Sequence, residues 1–195
     1  MSRKLLLFAL LVLVCLPLAA QRTEIAVLGG VKFPQGTGSF TVERSAAAQI
    51  NVAERIAHVP LIAAYLEVPI VFGVNSSLKA IGNPTSIPQN YNSLFITPGI
   101  RVKFAPISPV SPFLAAGVGY ARLNSSNILQ NQVPNPHPTS NSAIFDLAGG
   151  VDFKIFPFLS FRAEVRDFYV GLPTGGGLSS RQHTVVPSGG LVLRF

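Results

Sequence analysis

From Phe158 to Gly171 the chain reads FLSFRAEVRDFYVG. Taken every second residue, Leu159, Phe161, Ala163 and Val165 fall on one face of a strand, with Ser160, Arg162, Glu164 and Arg166 on the other. In a soluble sheet the charged face meets water, whereas in a transmembrane barrel lipid takes the aliphatic face and the charges line the interior. Alternation alone leaves both arrangements open, so the rest of the chain has to choose.

Charge is scarce. Only 12% of the 195 residues are charged while 48% are hydrophobic, against about 25% charged in an ordinary domain. After the N-terminus no apolar run reaches the roughly 18–20 residues of a membrane helix, so membrane residence would have to be by strands.

The opening MSRKLLLFALLVLVCLPLAAQ has Arg3 and Lys4, an apolar run from Leu5 to Leu16, a breaking Pro17, and small residues ending at Ala20. This layout predicts a secretory signal over residues 1–20, removed to leave a barrel domain over 21–195. Cys15, the single cysteine, would leave with it, so disulfide scaffolds are excluded. Thirteen bases would then face eight acids, scattered through alternating segments and not gathered into a nucleic-acid patch.

Eight segments carry strand patterning, at about 23–33, 45–54, 61–73, 93–105, 112–123, 142–155, 158–170 and 182–195. Each meets the roughly 9–11 residues that a tilted strand needs to span a bilayer. The first, third, fifth and seventh links are long and polar, while the even ones (RIAHVP, APISPVSP, FPF) are short. Long links therefore sit at one end and short turns at the other. Pro69, Pro98 and Pro187 fall inside these segments, and a bulge or a place near a rim is the expected accommodation.

One face of the set, including Ile25, Val27, Leu66, Ile100, Leu147 and Phe153, carries no charge. The other carries Glu24, Lys32, Glu67, Arg101, Lys103, Asp146, Asp152, Lys154, Arg162, Glu164, Arg166 and Arg194, mixed with glycines. A soluble barrel with this face outward would carry many Lys and Glu and few glycines. A narrow eight-stranded interior instead takes small residues plus a few long side chains that neutralise one another. The expected lumen network comprises Glu67, Arg101, Lys103, Asp146, Asp152, Lys154, Arg162, Glu164 and Arg166. Across the FPF turn, Asp152 should face Arg162. Phe33, Phe72, Tyr120, Tyr169 and Phe195 lie towards strand ends, where interfacial girdles occur.

The even strand number, the link asymmetry and the C-terminal VVPSGGLVLRF, with Leu191, Leu193 and Phe195 alternating to a terminal aromatic, resemble the small outer-membrane barrels of the OmpA and OmpX kind. The resemblance implies an all-β, eight-stranded antiparallel up-and-down transmembrane β-barrel, integral in the bacterial outer membrane and in contact with its lipid. It also implies that Leu191, Leu193 and Phe195 form a C-terminal signal read by the barrel assembly machinery, with periplasmic chaperones as partners during biogenesis.

Signs of chemistry are few. The three histidines lack metal-ligand spacing, and the glycine-rich stretches lack the helix and Lys-Ser/Thr of a phosphate loop. His183 with Asp167 and Ser179 or Ser180 is the one conceivable triad. Lipid A deacylases carry His and Ser two residues apart on one strand face, whereas Val185 follows His183 at that spacing. The expectation is a structural or surface-interaction barrel with a lumen plugged by charge, no catalysis, no metal and no cofactor. The alternatives are a lipid-modifying enzyme, a small pore or hydrophobic-solute transporter, and a soluble exported ligand-binding barrel.

Overall fold

The structure, a computed structural model, describes residues 22–34, 40–42, 44–80, 89–126, 139–170 and 182–195. The predicted signal at 1–20 lies outside them, as do the tips of the four long links. Among the described residues there are ten strands: β1 (Thr23–Pro34), β2 (Phe40–Val42), β3 (Ser45–Val59), β4 (Ile62–Ala80), β5 (Gln89–Ile96), β6 (Gly99–Phe104), β7 (Val110–Ser126), β8 (Thr139–Phe156), β9 (Leu159–Val170) and β10 (Gln182–Arg194). They build eight wall positions. β5 and β6 are two halves of one wall strand, both pairing β4 and β7, and β2 is a short ribbon on the outer part of β4.

The wall is closed and antiparallel throughout. β1 pairs with β10, with Ile25 opposite Leu193 and Phe33 opposite Val185. Next to this seam, the Thr23 and Phe195 backbones exchange hydrogen bonds of 3.3 and 2.9 Å. Stepping across neighbours from Glu24 passes through Ala53, Glu67, Gly99, Gly117, Asp146, Phe168 and Thr184, and returns to β1 at Pro34, ten residues above the start. A shear of ten over eight strands sets a tilt of about 40° and a wall radius of about 8 Å. That leaves an interior that side chains can fill.

Several strands outrun the expected bounds. β3 continues to Val59, β4 to Ala80 and β7 to Ser126, while β5 begins at Gln89 and β8 at Thr139. The sequence pattern marks only the stretch that needs an apolar face; backbone pairing carries the ladders beyond it.

The prolines are not accommodated at bulges or rims. The register shifts fall elsewhere, at Arg55/Ala57, Gly73/Ser76 and Lys154/Phe156. Pro98 lies in the break between β5 and β6, with the register continuous on both sides of it. Pro69 is next to that break, its carbonyl accepting from Thr97 N–H at 3.3 Å. Pro187 coincides with a gap in the β1–β10 seam, where pairing stops at Gly30–Ser188 and resumes at Phe33–Val185. Each proline thus sits where a ladder is already interrupted, which limits the loss of hydrogen bonds. At the break the wall closes up on glycines: a Cβ on Gly119 or Gly99 would strike the backbone of Ile96 or Ala116.

Through most of the strands buried residues alternate with exposed ones. Val27, Leu66, Ile100, Leu114, Val118 and Val165 point outward and are 51–64% exposed. Outer aromatics gather towards both ends, among them Phe72, Tyr120 and Phe145 at the long-link end and Phe104, Phe153, Phe156 and Phe195 at the short-turn end. Phe145 lies 5.9 Å from Tyr169, and Phe156 stacks on Phe158 at 5.8 Å.

Candidate functional site: the ionic lumen

Ascending from the short turns, β9 turns Ser160, Arg162, Glu164, Arg166 and Phe168 inward at every second position. Each is buried, and each meets residues sent in by other strands. Ten charged side chains in the lumen, Glu24, Lys32, Glu67, Arg101, Lys103, Asp146, Asp152, Arg162, Glu164 and Arg166, are at most 2% exposed.

Nine of these, with Arg194 at the lower rim, form one continuous network of five carboxylates and five cations. Across the FPF turn, Arg162 holds Asp152 with two bonds, Nε–Oδ1 at 2.7 Å and Nη2–Oδ2 at 3.0 Å. Lys103 Nζ bridges Asp152 and Glu24, both at 2.7 Å. Arg101 joins Glu24 and Glu67, each at 2.6 Å. Higher up, Arg166 spans Glu67 and Glu164 at 2.7 and 2.8 Å and also bonds Asp146. Gln49 caps Glu164 at 2.7 Å, and Asn51 reaches its other oxygen at 3.4 Å.

The arrangement has a physical logic. An isolated charge cannot be carried into so narrow a space, but equal numbers of both signs with shared bonds can. Aromatic faces take part: Arg101 lies 4.5 Å over the Tyr65 ring, and Arg162 lies 4.6 Å over Phe113. Phe113 in turn depends on Gly150, where a Cβ would sit 2.5 Å from its ring.

Of the nine residues expected in the network, eight are brought together. Lys154 is not. It is half-buried at the short-turn end, one inward position below Asp152 and opposite Ser160, where its Nζ donates to the Ile107 carbonyl at 3.2 Å. Alternation places Glu24 on the charged face, but its centrality is not legible there: it contacts Arg101, Lys103, Arg162 and Arg194. Gln49 and Asn51 escape the sequence reading altogether. Their signal is the alternation of β3, whose even-spaced alanines hide two amides on the inner face.

Above the charges the lumen changes character. Ala47, Val71, Phe95, Ala121, Ile144, Phe168 and Val186 form a buried apolar layer, with Phe95 and Phe168 4.9 Å apart. Lys32 lies above this layer, donating to Ser93 Oγ at 2.8 Å. Small residues and mutually neutralising charges are the expectation from sequence; the structure adds this apolar layer.

At the long-link end, His183 Nδ1 lies 3.2 Å from Asp167 Oδ2 and its ring lies 4.1 Å from that of Tyr169. Ser179 and Ser180 lie outside the described residues. Among the described residues no cluster of His, Cys, Asp and Glu is arranged to hold a metal. Leu191, Leu193 and Phe195 point outward on the last strand, each 43–52% exposed.

No protein-family model matches the chain, and no curated protein sequence does either. Solved structures do match its shape. Neisserial surface protein A (NspA) superposes with a TM-score of 0.63 at 17% identity, covering 90% of this chain and 98% of that one. A major outer membrane protein from Thermus thermophilus gives 0.54 at 15% identity, covering 89% and 99%. OprG from Pseudomonas aeruginosa gives 0.52 at 13% identity, covering 90% and 97%. The fold is that of the small outer-membrane barrels.

Proposed function

We propose that the chain is an integral outer-membrane β-barrel whose lumen is closed by its own side chains, with a structural or surface-interaction role and no catalysis. The observation that carries this reading is the inversion of polarity: a neutralised ionic network inside and a continuous apolar belt outside. An apolar surface of that extent on a water-soluble protein would drive aggregation, whereas in a bilayer it replaces lipid contacts at no cost. The structural neighbours, which include outer membrane and surface proteins, agree with this placement.

On this reading residues 1–20 are cleaved on export, and Leu191, Leu193 and Phe195 present the signal to the assembly machinery after chaperones deliver the chain. The short turns face the periplasm and the four long links face outward, where any partner would be met. The stacked ionic and apolar layers stop water and ions, so the barrel is an anchor for its loops and not a conduit.

Membrane fractionation tests it: the protein should stay with outer membranes through carbonate and urea washes, and planar-bilayer recordings should show no discrete openings. Release by carbonate would sink the placement, and steady channel steps the occlusion. A cysteine introduced at Ser108 should label from the periplasmic side alone.

A further inference from the structure

The short-turn mouth of the barrel opens into a cavity of about 350 Å³. Arg55, His58, Lys103, Lys154 and Arg194 line it together with Tyr65 and Ile107. No acidic residue is in the lining.

The charges here do not cancel. Lys103 and Arg194 belong to the lumen network, whose five carboxylates already face five cations. Arg55 and Lys154 come in addition. Among the described residues neither has a carboxylate within ion-pairing distance, and Lys154 is close enough to Arg194 to be repelled by it. The other described acids are committed elsewhere. Glu54 faces outward, where its carboxylate accepts from Thr23 Oγ1 at 2.7 Å, and Asp167 is at the opposite end beside His183. Two surplus cations, both half-buried, therefore converge with a histidine ring on a hollow large enough for a small ligand. Holding like charges together in a partly enclosed space is unfavourable unless an anion shares it.

We infer that this mouth is a binding site for a small phosphate-bearing anion. The Arg55 guanidinium and the Lys154 ammonium, with Arg194 beside them at the rim, turn several N–H donors to one hollow, more than a carboxylate can accept, and match the several oxygens of a phosphate or diphosphate. The phosphate could belong to a soluble compound or to a lipid headgroup at the membrane edge; the recognising chemistry is the same.

The test uses the mature chain refolded in a non-ionic maltoside detergent at low salt. Inorganic pyrophosphate is titrated while the His58 ring signals are followed by NMR and the heat of binding by calorimetry. Saturable binding that moves His58 is expected, with acetate producing no comparable shift. The double variant Arg55→Gln/Lys154→Gln, which removes no ion pair of the lumen network, should bind at least about tenfold more weakly. Arg44→Gln, which removes a charge beside Phe33 at the far end, should bind as the parent does. In nanodiscs, displacement of the His58 signals by added phosphatidylglycerol, with no further response to pyrophosphate, identifies a headgroup as the occupant; a pyrophosphate response in both lipid compositions identifies a soluble one. The inference is overturned if neither probe moves His58, if acetate does so equally well, or if Arg44→Gln weakens binding as much as the double variant.

Discussion

Glu24→Gln probes the centre of the ion network with a nearly isosteric change. The carboxylate has cations at 2.6 Å (Arg101), 2.7 Å (Lys103), 3.0 Å (Arg194) and 3.4 Å (Arg162). At an effective dielectric of 20 each such contact is worth about 4 kcal/mol gross, most of it offset by the cost of taking both partners out of water. Removal of the charge leaves five network cations against four carboxylates in a buried space. Breaking a buried pair costs about 3–5 kcal/mol, and Glu24→Gln should fall in that range. Lys103→Met added to it restores four against four, and the double variant should lie about 1–3 kcal/mol above the sum of the singles. Equilibrium urea unfolding from phospholipid vesicles, followed by circular dichroism, measures both. A loss under about 1 kcal/mol for Glu24→Gln, or strict additivity with Lys103→Met, would refute the idea that charge balance holds the lumen together.

Opposite faces of β9 should respond for opposite reasons. Arg162→Leu strips Asp152 of its two-bonded partner and should cost a few kcal/mol, moderated by the remaining Lys103 contact. Val165→Arg should cost about 2–4 kcal/mol by presenting a charge to lipid, and both are read from urea midpoints in vesicles. Gly150→Ala drives a methyl group into the Phe113 ring and the Ala163 carbonyl; a loss of about 1–3 kcal/mol is expected, partly recovered by Phe113→Leu. Ala105, in the β6–β7 turn, has φ of 45°, so Ala105→Gly should raise stability by up to about 1 kcal/mol, seen as a later thermal or urea midpoint.

Strand patterning and faces are legible in the sequence because each is local. A period of two is a property of any extended segment, so FLSFRAEVRDFYVG by itself puts Arg162 and Val165 on opposite sides, and eight such segments with alternating long and short links admit few arrangements besides an up-and-down barrel. Neighbour contacts are legible for the same reason, since a tight turn fixes the register that sets Asp152 opposite Arg162. Contacts across the lumen are not. That Glu24 meets Arg101, 77 residues away, and Arg162, 138 away, depends on the shear at which the wall closes, a property of all eight strands at once. Nor can alternation say that Phe95 and Phe168, from strands distant in sequence, meet at one height as part of an apolar layer. The same holds for Lys154, which shares the charged face but stands at the height of the mouth, below the ion network. Sequence thus determined which side of the wall each residue takes and which it meets across a tight turn; the closed barrel alone decided heights and partners across the lumen, because tilt and shear convert eight independent alternations into one shared interior.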